Sequence, residues 1–376
     1  MKISRKNQIA VCLMLLVCLS GGIFAAGQKP PFRQPLTTEL VPHALIQEAG
    51  WTYNWQLNLP VKPHEQIDRL YVFADYLYAL TDTNVLFCVN RKKGQTLYSV
   101  RLCSDRLPMC DPLYYEGRLG FISGNQMIIF NPSTGLVQQR EVFEQVGDAF
   151  KCAVARNREF VYMAGSDRRL HVLSTEGFWQ AFTATADNDS AINSVVATDS
   201  IVVFSTQAGN VVGMQPNVAK KIWQYDTTGE IQAGIVPDGD YLYVVSMDAK
   251  LYKLTMETGM PAWSLPFYAG APVLDPVVVG KEVVYLYNDL NGLYAVNKND
   301  GKSVWNIPSG KNIICESGKK AFAFARPGVL QVMDNASGKE VYSVNINQVQ
   351  RYAKNMADST LYLAHTDGRL MSVTVE

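Results

Sequence analysis

A short apolar run followed by a tight polar turn recurs eight times along this chain at intervals of about forty residues. The runs begin at Leu86, Met127, Leu170, Val211, Leu251, Leu293, Leu330 and Leu370, so successive spacings are 41, 43, 41, 40, 42, 37 and 40. Repetition at this period, in a chain of short strands, is the pattern of a radial β-repeat with four strands to each unit.

The turns keep register with the runs. Gly94, Gly135, Gly259, Gly301 and Gly338 fall eight residues after their run begins; Gly177 falls seven after, and Ala219 takes the equivalent place after Val211. Glycine closes such hairpins because it reaches positive φ without a Cβ clash. Four residues past the glycine position stands an aromatic in five units: Tyr98, Trp223, Trp263, Trp305 and Tyr342. Gln139 and Ala181 break the pattern, although Trp179 lies close to the second. Upstream of each run lies another strand, as at Tyr76-Leu77-Tyr78 or Tyr241-Leu242-Tyr243, and before it a further one, such as Val273 to Val279. Each unit therefore holds four strands, A innermost to D outermost. The last unit reaches Val373-Thr374-Val375-Glu376 without a D strand, while Trp51 to Leu59, with Trp55 at its centre, has no A, B or C strand before it. Pairing the two closes a ring without a long open edge. The expected fold is an all-β, eight-bladed β-propeller of four-stranded antiparallel blades over 51–376.

These repeats resemble the PQQ-like repeat family, the quinoprotein-type propellers. The best copies are Leu251-Tyr252-Lys253-Leu254-Thr255-Met256-Glu257-Thr258-Gly259 with Trp263, and Leu293 through Gly301 with Trp305. The resemblance covers roughly residues 51 to 376. It implies that Trp55, Tyr98, Trp223, Trp263, Trp305 and Tyr342 dock between neighbouring blades. The family contains dehydrogenases, which stack a quinone on a disulfide between adjacent cysteines and hold calcium, and cofactor-free scaffolds. No two cysteines are adjacent here. In size and plainness the chain is similar to the cofactor-free scaffold propeller of the bacterial outer-membrane barrel-assembly machine, but without that group's lipobox. No cofactor is expected.

Residues 1–26 have the form of a secretory signal: Lys2, Arg5 and Lys6, an apolar core from Ile9 to Leu19, then small residues at Ala25-Ala26. Such a segment is too short for a spanning helix. Val17, before Cys18, stands where a lipobox wants a small residue, so cleavage after Ala25 or Ala26 is favoured over lipidation at Cys18. Residues 27–50, with Pro30, Pro31, Pro35 and Pro42, read as an extended linker. The expected location is the periplasm or cell envelope, with no integral membrane segment after cleavage and a monomeric state.

Lys plus Arg and Asp plus Glu each number 34; removing the signal's three basic residues leaves 31 against 34, a net of −3. No nucleic-acid-binding field exists at that balance. Five cysteines follow the signal: Cys88, Cys103, Cys110, Cys152 and Cys315. Export permits a Cys103–Cys110 bridge, though free, buried thiols are the preferred reading. His43, His64, His171 and His365 show no metal-ligand spacing, and His171, alternating with Leu170 and Val172, reads as part of a solvated face. Inner strands line a propeller's channel. Counting eight back from the B-strand apolar position gives Arg69, Asp111, Cys152, Asn193 and Asp275 as channel-mouth candidates, and Cys110-Asp111-Pro112 echoes Leu274-Asp275-Pro276. They are read first as structural hydrogen-bonding groups and second as a cation or small-ligand site. The functional expectation is a non-catalytic scaffold that binds other cell-envelope proteins. The alternative is a ligand-binding or quinone-dependent dehydrogenase-like propeller; a third reading is a sugar- or polymer-binding module.

Overall fold

The computed structural model describes residues 39–104, 107–146, 153–325 and 328–376. The expectations about the signal, residues 27–38 and Cys152 lie outside these residues. Alternating apolar residues and tight turns produce eight four-stranded antiparallel sheets. Blade 1 consists of A Ile67–Phe73, B Tyr76–Thr81, C Val85–Asn90 and D Gln95–Arg101. Blades 2 to 7 follow over 113–142, 154–185, 192–226, 236–268, 278–307 and 310–345. Blade 8 takes A Arg351–Tyr352, B Thr360–Ala364 and C Arg369–Thr374 from late in the chain and D Thr52–Asn58 from its beginning. That D strand runs antiparallel to C, from Thr52 opposite Thr374 to Asn58 opposite Arg369. The ring is closed as the repeat count requires. One detail differs: the inner strand of blade 6 is only Val278–Val279, because Pro272 and Pro276 each lack the N–H a ladder needs.

The blades are cemented by one repeated contact. A D-strand aromatic of one blade covers the C–D turn of the next and donates a hydrogen bond to the carbonyl three residues before the turn glycine. Trp55 lies on Gly94 and bonds the Arg91 carbonyl (2.9 Å); Tyr98 lies on Gly135 and bonds that of Pro132 (2.8 Å). Trp223 lies on Gly259 and bonds Met256 (3.1 Å); Trp263 lies on Gly301 and bonds Lys298 (2.9 Å). Trp305 ends instead on the Asn335 side chain, 2.7 Å away, near Gly338. The glycines are needed twice over. Each has positive φ, and a Cβ on Gly94 or Gly135 would stand 2.5 Å from the docked ring. Burying the apolar body while satisfying the polar tip is what makes Trp and Tyr suited to this place.

Two blades vary the contact. In blade 3 the αL turn position is held by Phe178 (φ 54°), whose N–H bonds the Ser174 carbonyl as the turn glycines do elsewhere. Gly177 is therefore not the equivalent residue, and the aromatic four places further is Phe182, opposite Val172 in the ladder, rather than Ala181. Phe178 is buried against Phe143, in the cluster between blades 2 and 3. It fills from the turn side what blade 2, with Gln139 at its docking position, leaves unfilled. We expect Phe178→Gly to destabilise the protein by about 2 kcal/mol or more, the lost ring outweighing relief of the αL strain. Gln139→Trp added to it should recover at least about 1 kcal/mol. Urea unfolding of the two single variants and the pair measures this; additive losses would refute the exchange.

Blade 7 is the other case. Tyr342 has no intact C–D turn to dock on, because blade 8 is split there. Trp51 takes that place, donating from Nε1 to the Tyr342 hydroxyl at 2.9 Å and meeting Phe322 edge-on. Residues 39–50, read from sequence as the end of an extended linker, instead form a packed segment. Leu40, Val41 and Ile46 are buried among residues of blades 7 and 8, and helix α1 spans His43–Glu48 with Pro42 at its N-cap. Leu45 and Ile46 lie on this helix, and Leu40 and Val41 pack just ahead of it.

Cys88 and Cys315 are free and buried, and Cys103 is free and half-buried. Cys110 is disulfide-bonded. The Cys103–Cys110 bridge does not form, because Cys103 packs with the blade 1–2 cluster and Cys110 with the blade 2–3 cluster, on opposite faces of blade 2. Nor is Cys110 a free thiol. His171 is also not solvated: it is buried, with Nε2 3.1 Å from Asp167 and Nδ1 3.2 Å from Gln180, because the B–C turn folds Asp167 back over it.

Candidate functional site

Strand alternation puts B–C turns and D–A crossovers on one face of the ring and A–B and C–D turns on the other. The channel mouth on the B–C face gathers the polar groups of the inner strands. Arg69, on blade 1, donates to Asp111 (3.2 Å), to the Met109 carbonyl (2.8 Å) and to Asp68 (3.2 Å). Tyr71 donates to the same Asp111 oxygen at 2.8 Å, and Arg351 of blade 8 donates to the Asp68 carbonyl at 2.8 Å. Blades 8, 1 and 2 are thus joined by an alternating chain of charges. Burial and the adjoining Asp111 charge push the Tyr71 phenol well above its ordinary range, so it acts as a donor.

Asp275 lies across the channel. It borders an inner slot of about 130 Å³ lined also by Tyr287, Lys311, Asn312 and Lys354. It also borders an outer groove of about 610 Å³ whose wall includes Pro272, Leu274 and Leu290. Lys354 reaches channel water yet is surrounded by protein; that burial lowers its pKa, and the charges of Asp275 and Asp111 oppose the shift. Burial pushes the neighbouring Tyr352 up to about 12, with Asn312 acting against the rise and Asp275 adding to it. Asn193 stands apart: its amide donates to the Ile231 carbonyl at 2.7 Å and ties blade 4 to blade 5.

The structure therefore joins Arg69 to Asp111, places Lys354 within the field of both Asp111 and Asp275, and leaves Asn193 as a blade tie. Lys311, Asn312, Arg351 and Lys354 were missed from sequence. The eight-residue count lands on Ile313 in blade 7 and Ala353 in blade 8, neither polar, and passes over their neighbours. Among the described residues no group of three His, Cys, Asp or Glu side chains is placed to hold a metal ion. Paired charges and phenols held protonated suit the mouth to hydrogen bonding with a polar partner.

Residues 48–228 and 207–357 match the family model described as outer membrane protein assembly factor BamB. The chain belongs to this family. BamB of Yersinia pestis is 27% identical over 168 residues, a match spanning 39% of this chain and 42% of that relative's length. The crystal structure of BamB from Moraxella catarrhalis superposes with a TM-score of 0.64 at 13% identity, over 87% of this chain and 98% of that one. The computationally designed Ika8 protein (TM-score 0.67, 12% identity, 86% of this chain and 100% of that one) is comparably similar. So is the C-terminal WD40 domain of Sif2 (0.65, 12%, 87% and 98%). Likeness to propellers as different as these establishes the fold alone; the family match is what separates BamB from the rest. Among the described residues no helix is long and apolar enough to cross a membrane.

Proposed function

We propose that this chain is an exported, non-catalytic scaffold of the bacterial cell envelope, which presents the faces of its ring to other proteins of the outer-membrane assembly apparatus. The observation that carries this reading is the BamB family match over most of the propeller. The architecture supports it: a ring closed by its own N-terminal strand exposes two broad loop faces on a rigid body. Because the assembly role comes from family membership rather than from a site, the partner is inferred by analogy. In this reading residues 1–26 are removed on export and the protein works as a monomer on the periplasmic side of the outer membrane. The channel-mouth residues Arg69, Asp111 and Asp275 then serve as structural ties and polar contacts.

Affinity purification of a tagged, full-length chain from its native envelope, followed by mass spectrometry, tests the proposal. Enrichment of outer-membrane assembly proteins, with a mature N-terminus at Ala26 or Gly27, is the expected result. Purification without any envelope partner, or turnover of alcohols or sugars after reconstitution with quinone and calcium, would overturn it.

A further inference from the structure

On the A–B and C–D face, Arg156 ends the inner strand of blade 3, Val154–Arg156. Its guanidinium lies over the ring of Tyr115, from the inner strand of blade 2, at 4.7 Å from the centroid. The other half-buried arginines among the described residues are all engaged: Arg69 and Arg351 with Asp68, Arg91 with Asp358, Arg369 with Asp367. Arg156 has no hydrogen bond or ion pair among the described residues. Its Nε is buried without a partner, while its terminal nitrogens reach solvent. Burial lowers its pKa, Tyr115 and Glu116 oppose that shift, and the nearby charge of Arg118 adds to it. Arg118, at the start of the adjoining B strand, is exposed and equally unpaired.

A guanidinium stacked on an aromatic ring, with one edge shut in and the other open, is preorganised for end-on, two-pronged recognition of a carboxylate. The outer rim of the same two blades, on the same face, carries large apolar side chains in their C–D turns: Leu136 is 69% and Trp179 is 59% exposed. Three strand spacings separate inner from outer strand, about 14 Å, which an extended chain covers in four or five residues.

We propose that this face of blades 2 and 3 binds an extended acidic segment of a partner protein, with a glutamate or aspartate carboxylate on Arg156 and a large apolar side chain, four or five residues away, on Trp179. The scaffold reading underlies this assignment, which adds the chemistry of the partner. Charge at the inner end selects the occupant: Glu116, Glu159 and Glu176 lie in the turns of the same two blades, yet Arg156 has no carboxylate partner among the described residues, so its open edge is left for a carboxylate from outside.

The test is fluorescence anisotropy with the full mature chain and a fluorescein-labelled peptide of three Glu-Gly-Ser-Gly-Leu repeats. The expected result is saturable binding that weakens at least tenfold with Arg156→Gln and about threefold or more with Trp179→Ala. Replacing the peptide's glutamates by glutamine should abolish it. Arg156→Lys keeps the charge but not the planar fork and should also lose affinity; with Trp179→Ala it carries the test if the glutamine variant fails to fold. Equal binding by wild type and the Arg156 variants would overturn the proposal, as would displacement of the peptide by phosphatidylglycerol vesicles, which would make the site one for lipid phosphate. Failure here with envelope partners still co-purifying removes the Arg156 site alone; a wild-type chain that captures no envelope partner removes the scaffold reading with it.

Discussion

Removal of residues 39–58 should leave a chain that no longer folds as a stable monomer. The deletion takes away the outer strand of blade 8 and exposes the backbone of Arg369–Thr374 as an open edge, a template for intermolecular pairing. Trp55 goes with it, and with Trp55 the contact to Gly94 and the Arg91 carbonyl that joins blade 8 to blade 1. Trp51, Leu40, Val41 and Ile46 also go, uncovering the largest cluster between blades 7 and 8. Each of these apolar side chains is worth about 1.5–3 kcal/mol of burial, so their sum approaches the whole margin of a typical domain. Light scattering and thermal unfolding of the truncated chain measure the effect. Aggregation or loss of cooperative melting is expected, with rescue by a synthetic peptide of residues 39–58; a monomer melting as the intact chain does would show that the ring is closed by something else.

Trp263→Ala should cost about 3–5 kcal/mol, the range for large truncations in a packed interior. The indole is 5% exposed, lies on Gly301, donates to Lys298 and stands 5.9 Å from the Tyr243 ring. Trp263→Phe keeps most of the apolar body and removes one of two donors to the Lys298 carbonyl, which Lys253 Nζ still reaches at 2.8 Å, so a smaller loss of about 1–2 kcal/mol is expected. Urea unfolding followed by circular dichroism distinguishes them. A change below about 1 kcal/mol for the alanine variant would make the residue a surface contact.

What the repeats made legible was whatever recurs. Eight runs, their turns and their docking aromatics sit at fixed offsets, so strand count, ring closure and the burial of Trp223, Trp263 and Trp305 followed from spacing. Phe178 shows the limit. A turn-forming glycine one residue early drew the register to Gly177; both residues have positive φ, and only the backbone bond from Phe178 to the Ser174 carbonyl shows which one closes the turn. Residues 39–50 were misread because proline content outweighed a short amphipathic pattern. Cys103 and Cys110 are near in sequence but face opposite sides of a blade, which only the ladder determines. The polar mouth was half legible: Arg69 and Asp111 meet as neighbouring inner strands allow, whereas Lys354 comes from a blade whose counted position holds alanine. Arg156 was invisible for a different reason, since the absence of a partner is a property of three-dimensional neighbours.

We propose that this ring serves outer-membrane assembly as a scaffold. Quantitative proteomics of the outer membrane in a deletion strain of the native host, complemented in turn with the wild-type chain and with the chain lacking residues 39–58, tests it most directly. Folded β-barrel proteins are expected to fall on deletion, to recover with the wild-type chain and not to recover with the truncated one. Unchanged barrel content in the deletion strain would contradict it.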